Sequence, residues 1–289
     1  MTDNYINFKS QRELGEIISD TFKFVRENYK VLFRLILKIA GPVLVVLALS
    51  LGYYYYIAGG NPFLELNVED NLWQFFLSLL LLVVSFILFF VLLQGTVFHF
   101  IRSYIENKGK VNETEVYSGV KSDFGSLLGV GILAPILIFF GLILCVLPGI
   151  YLWVPMSFCV PLVVFARKGT IDAIGDSFSL IRDNWWMTFL SLFVMALLVY
   201  FIGLIFQIPL FIYLFIKMIS VAQEGSVANP GVFFDWIYIA LSLIASIAQY
   251  LLYSILMIAT AFIYYNLDEK MNFTGSHETI ANLGSTDNY

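Results

Sequence analysis

Two histidines, two cysteines and a thin scatter of polar side chains inside apolar runs are the groups here that could do chemistry. His99 and His277 are far apart in sequence, and Cys145 and Cys159 each sit within an apolar run. A zinc site draws on a spaced cluster of Cys and His ligands, and no such cluster is present. The cysteines read as small packed hydrophobes. Nucleophile, base and metal ligands show no grouping, so no catalytic residue, metal or cofactor is assigned, and an intramembrane enzyme is the least favoured class. The remaining polar groups are Gln94, Thr96 and His99, then Gln207, then Ser242, Ser246, Gln249 and Tyr253. Hydrogen bonding between helices is their ordinary role. The alternative is a polar cavity lined by Gln94, His99, Gln207 and Gln249.

The elements that carry these groups follow from composition. The chain has 289 residues, 60% hydrophobic, 17% aromatic and 13% charged, with a mean hydropathy of +0.83. Soluble domains are about 25% charged. Half that charge cannot cover a water-soluble globule, so a soluble enzyme, a disordered chain and a disulfide scaffold are excluded. A net charge of −5 leaves no basic footprint for nucleic acid. The expected class is an all-α polytopic membrane bundle of six transmembrane helices and three cytoplasmic amphipathic helices, with the lipid bilayer as its first partner.

A span needs about 20 apolar residues. Runs that satisfy this are Val31–Ile57, Leu72–Ile101, Ser126–Val146, Ile150–Ala166, Trp185–Gln207 and Val232–Tyr265. Leu147-Pro148-Gly149 is expected to turn the third run into the fourth. Pro148, Pro155 and Pro161 punctuate that hairpin, with kinked packing favoured over a transport site. Pro209 is expected to end the fifth span near Gln207. With the N-terminus inside, all 16 Lys and Arg except Lys217 fall on the inner side, which sets the orientation with both termini cytoplasmic. The loop Ala58–Asn71 then lies outside and carries Glu65, Glu69 and Asp70 but no Lys or Arg. Arg34 and Lys38 are expected to snorkel towards the inner interface.

Two surface segments match without a gap. Asp20-Thr-Phe-Lys-Phe-Val-Arg26-Glu-Asn28-Tyr29 aligns with Asp176-Ser-Phe-Ser-Leu-Ile-Arg182-Asp-Asn184-Trp185. Both show the i, i+3, i+4, i+7 apolar spacing of an amphipathic helix. Ser10 with Glu13 is expected to cap the first, Thr170 the second, and Asn112 with Glu115 a third that lacks the signature. This gives parallel units at 10–105, 112–168 and 169–268 with a short polar tail, 269–289, all in one membrane domain. The shared charges are expected to anchor the helices at lipid phosphates, with Asn28 and Asn184 turning the chain into each span. A sharper reading is a reciprocal clamp, Asp20 to Arg182 and Asp176 to Arg26.

Leu147-Pro-Gly-Ile-Tyr-Leu-Trp-Val-Pro-Met-Ser-Phe-Cys-Val-Pro, followed by Ile171-Asp-Ala-Ile-Gly-Asp-Ser-Phe-Ser-Leu-Ile-Arg-Asp-Asn-Trp-Trp, resembles bacterial polytopic proteins related to the membrane domain of glycerophosphoryl diester phosphodiesterases. The match is sharpest over 147–190. The resemblance implies a six-helix membrane fold in the bacterial inner membrane. In the named members catalysis belongs to an appended soluble barrel with His, Glu and Asp metal chemistry. The tail after Asn266 is too short for one, so no catalytic residue carries over. The expected function is a non-enzymatic accessory or scaffold protein with membrane or cytoplasmic protein partners. The alternative is a permease for a neutral or amphiphilic solute, lipid among them.

Overall fold

The computed structural model describes residues 5–58, 68–224 and 235–277, and every regular element among them is helical. The helices are α1 (Leu14–Ile39), α2 (Gly41–Ala58), α3 (Val68–Glu106), α4 (Glu113–Leu144), α5 (Val146–Met156), α6 (Cys159–Phe165), α7 (Thr170–Ile181), α8 (Trp185–Glu224) and α9 (Trp236–Asn272). Leu72–Glu106, Glu113–Leu144, Val146–Phe165, Trp185–Val221 and Trp236–Asn272 are each long and apolar enough to cross a bilayer. The pair α1 and α2, bent by 66°, makes a sixth span if taken as one. The chain is an all-α, multi-pass membrane protein. Residues 59–67 of the expected outer loop, the side chains of Glu69 and Asp70, the start of the sixth run at Val232 and the tail after His277 lie outside the described residues.

Several helix boundaries correct the sequence reading. α1 runs through Asn28 without a turn and carries the chain from amphipathic surface to apolar run. It breaks only at Ala40, where Gly41 and Pro42 follow. Pro42 has no N–H and its ring crowds the preceding turn, so the first helix ends and a second begins. The start of α1 is capped by Glu13, not Ser10: the Glu13 N–H donates to Glu16 Oε2 at 3.0 Å, half of a capping box. At α4 the expected cap is present. Asn112 Oδ1 accepts from the Thr114 N–H at 3.1 Å, and Asn112 Nδ2 donates to Glu115 Oε1 at 3.1 Å.

The α4–α5 hairpin turns on Cys145, which is extended (φ −173°, ψ 152°), and not on Leu147-Pro148-Gly149. Pro148 is the third residue of α5, where its missing N–H has no intrahelical partner to lose. Pro155 and Pro161 flank the real break at Ser157–Phe158 between α5 and α6. Pro209 does not end the fifth span; it lies inside α8, which continues to Glu224. A lone proline within a membrane helix is accommodated when neighbours meet the freed carbonyl.

The described chain forms two compact units. The first comprises Met1–Ile39, Phe90–Leu197 and Ser254–Tyr289. Its core includes an aromatic cluster: Phe8 stacks on Phe262 with centroids 4.1 Å apart and meets Phe24 edge-on at 5.2 Å, while Phe24 contacts Tyr104 at 5.0 Å. Arg12, with a side chain only 6% exposed, locks the segment before α1 in place. Its Nε donates to Asp20 Oδ2 at 2.8 Å, its Nη1 to Phe8 O at 2.9 Å, and its guanidinium lies over the Phe262 ring at 4.8 Å. The Ile6 N–H donates to the Tyr104 hydroxyl oxygen at 3.0 Å, which closes the segment as a strap.

The second unit comprises Ala40–Phe89 and Leu198–Tyr253. Ser242 and Ala245 are buried on α9. Lys217, alone on its expected side of the membrane, has a partner: its Nζ lies 2.7 Å from Asp235 Oδ2, and the Tyr213 hydroxyl donates to the same oxygen. Partial burial on its own raises the Asp235 carboxyl. The Lys217 ammonium and Tyr213 hydroxyl outweigh it and pull the pKa down to about 2.

Candidate functional site

Within the first unit, the end of α3, the first half of α4 and the α6–α7 turn bound a polar cavity of about 590 Å³. His99 sits in its wall, 4% exposed. The ring fits because position 119 is glycine: a Cβ there would lie 2.6 Å from His99 Cε1. His99 Nε2 is 3.2 Å from Asp123 Oδ2, yet the two are not aligned for a hydrogen bond and the nitrogen has no other partner among the described residues. A buried nitrogen left this way costs about 1–3 kcal/mol.

Of the carboxylates around the cavity, Glu115 is committed to building it. Glu115 accepts from Ser103 Oγ at 2.9 Å and from Asn107 Nδ2 at 2.8 Å, and so fastens the α3–α4 turn. Glu106 Oε1 accepts from Arg102 Nε at 2.9 Å, and Arg102 also donates to Val164 O at 3.2 Å. Asp123 accepts from Ser122 Oγ at 2.9 Å.

The α6–α7 turn supplies the other cations. The N–H groups of Ala166 and Lys168 both donate to Leu162 O, at 3.2 and 3.3 Å, and leave Arg167 between them at φ +53°. That left-handed position after a helix is usually glycine. Lys168 Nζ pairs with Asp176 Oδ2 at 3.1 Å, whereas Arg167 is exposed and has no ion pair among the described residues. Gly169, not Thr170, is the N-cap of α7 and offers no side-chain acceptor to the first amides. Thr170 instead donates to Ser126 O at 3.2 Å, in space that Gly129 leaves open; a Cβ at 129 would lie 2.6 Å from Thr170 Oγ1. Gly125, one turn earlier on α4, meets nothing within 4 Å.

The paired surface residues do not form the reciprocal clamp. Asp20 bonds Arg12 and Asp176 bonds Lys168, both close in sequence. Arg26 and Arg182 are exposed and without an ion pair among the described residues. Asn28 donates to Phe24 O at 3.0 Å within α1, whereas the Asn184 carbonyl accepts from the Thr188 N–H at 2.9 Å and opens α8, so only the second asparagine marks a turn. The aligned positions do share burial: Ile17 with Ala173, Thr21 with Ser177, Phe24 with Leu180. Thr21 and Ser177 each return their hydroxyl to the preceding turn at 2.7 Å.

Of the four glutamine and histidine positions proposed to line a cavity, His99 does. Gln94 is half-buried in the first unit, and Gln207 and Gln249 are half-buried in the second, where the Gln249 amide packs against Gly203. Arg34 Nη2 pairs with Glu113 at 2.7 Å, with Lys38 nearby at 3.7 Å. Cys159 is buried as expected, but Cys145 is exposed at the hairpin turn. A second, more apolar cavity of about 730 Å³ lies at the start of α8, lined by Tyr151, Arg182, Asn184 and Trp185 among others. Trp185 stacks between Tyr151 and Phe189, each at 5.4 Å. Arg12, Asp123 and Arg167 escaped the sequence reading as site residues. The signal available for Arg167 was its place in Ala166-Arg-Lys-Gly169, a basic pair between a short apolar helix and a glycine.

No family model, no curated protein and no solved structure matches this chain, so the kinship suggested by residues 147–190 rests on those residues alone.

Proposed function

We propose that the chain is a non-enzymatic accessory protein of the bacterial cytoplasmic membrane, working through the basic ends of its helices, which lie with both termini in the cytoplasm. The observation that carries this reading is the polar cavity of the first unit, whose Glu115 fastens the α3–α4 turn and whose Glu106 pairs with Arg102. Next to its lining residues in sequence stand Tyr117 on α4 and Ile171 on α7, both exposed and suited to contact. The Lys and Arg asymmetry supports the orientation. The shared burial of Ile17 with Ala173 and Thr21 with Ser177 supports an ancient parallel duplication of the surface helix and its span.

The test is purification of the tagged chain in mild detergent from its native host, followed by mass spectrometry. The expected result is a stoichiometric protein partner that survives washing at physiological salt. Recovery of the chain alone, together with saturable solute flux in proteoliposomes, would favour a permease and overturn the accessory reading.

A further inference from the structure

We propose that the cavity bounded by α3, α4 and the α6–α7 turn binds a phosphate ester, with Arg167 as its principal cation. This deepens the reading above only in taking the cavity as the working site. Binding needs no protein partner, so either idea can fail while the other stands.

Four features of the cavity converge on an anion. Arg102, Arg167 and Lys168 all line it. Arg102 and Lys168 have carboxylate partners, and Arg167 has none among the described residues. A guanidinium presents parallel donors that match phosphate oxygens in a bidentate pair. Gly169 also lines the cavity as the N-cap of α7, so the positive end of that helix adjoins it, with no side chain capping the first amides. His99 Nε2, buried in the wall without an aligned partner, provides a further group whose polarity is unmet.

The rest of the lining indicates what the phosphate is attached to. A volume of about 590 Å³ lies in the usual range for small-molecule sites and exceeds what a bare oxyanion fills. Glu106 and Asp123 retain acceptor capacity beyond their present bonds, and suit hydroxyl or ammonium groups on the alcohol part. The ligand is a phosphate ester of a small polar alcohol, free in solution or as the headgroup of a lipid.

Arg167 also makes the proposal separable from folding. Its left-handed backbone favours glycine, so Arg167→Gly removes the cation while easing the turn. The experiment is binding to the purified full chain by native mass spectrometry, alongside its thermal melting. The probes are glycerol 3-phosphate, phosphatidylglycerol, and a phosphate-free galactolipid. The expected result is saturable binding of a phosphate probe, weakened about tenfold or more by Arg167→Gly, less by Arg167→Lys, and unchanged by Arg26→Gln. The melting temperature of Arg167→Gly is expected to match or exceed that of the parent. Binding of glycerol 3-phosphate identifies a soluble ester; binding of phosphatidylglycerol alone identifies a headgroup. No saturable binding of either, equal binding by Arg167→Gly and the parent, or equal binding of the galactolipid would overturn the proposal.

Discussion

Replacing Arg12 by alanine is expected to destabilise the first unit by about 3 kcal/mol, a typical cost of removing one partner from a buried, hydrogen-bonded charge network. One guanidinium holds three elements together: the segment before α1 through the carbonyls of Phe8 and Ser10, α1 through Asp20, and α9 through the face of Phe262. Its loss leaves the Asp20 carboxylate without its cation and the Phe8 carbonyl with the Ser10 N–H in place of two donors. It also frees the strap that delivers the fully buried Phe8 to the aromatic cluster. Arg12→Lys is not expected to rescue the fold, because one ammonium cannot reproduce the planar fork that reaches all of these acceptors. Unfolding free energy from detergent titration, measured for the parent, Arg12→Ala and Asp20→Ala, checks the account. Asp20→Ala should cost less, since Asp20 is 31% exposed and the carbonyl bonds of Arg12 survive.

The second large effect is expected at Gly149. Gly141 and Gly149 face each other across the α4–α5 hairpin, where a Cβ at 141 would lie 3.1 Å from Gly149 Cα. A Cβ at 149 would lie 2.5 Å from Leu142 Cγ and 2.9 Å from Leu142 N. The second contact is with backbone and cannot be relieved by a rotamer change. Gly149→Val should therefore force the helices apart, at a cost of about 3 kcal/mol or more, the upper end of overpacking penalties. Membrane helices depend on such close approach because lipid gives no hydrophobic drive to pair them. Gly125→Val is the matched control. Position 125 opens on empty space, so its stability should change only by the small difference in helix propensity, which for valine replacing glycine is slightly favourable. A comparable loss at both positions would show that helix propensity or lipid contact, not the hairpin crossing, sets stability.

The helical class and the membrane were legible because they depend on bulk composition and run length, to which a few misplaced residues make no difference. The cap at Asn112 was legible because its geometry is local. The boundaries that failed were those where one proline had to be judged without its neighbours. Pro42 beside Gly41 breaks a helix, Pro209 does not, and Pro148 starts one, although all three lack the same N–H. Sequence also could not assign charge partners. The match of Asp20 and Arg26 with Asp176 and Arg182 suggested a clamp across repeats, but Arg12 and Lys168 take the carboxylates. The cavity was only partly legible. His99 could be flagged as a rare ionisable residue in an apolar run, whereas Asp123 and Arg167 come to it through tertiary packing of three separate segments. The glycines that make room, at 119 and 129, are indistinguishable in sequence from the idle one at 125.

The central claim is that the basic helix ends around the cavity are the working face of the protein, turned towards the cytoplasm. The most direct measurement is photo-cross-linking in living cells from a diazirine side chain placed at Ile171, 71% exposed beside the cavity, and in parallel at Trp236, 76% exposed at the start of α9. The account predicts discrete protein adducts of fixed mass from position 171, formed with cytoplasmic or membrane proteins, and lipid adducts alone from position 236. Protein adducts from 236 with none from 171, or adducts at 171 to proteins confined to the outer side of the membrane, would contradict it.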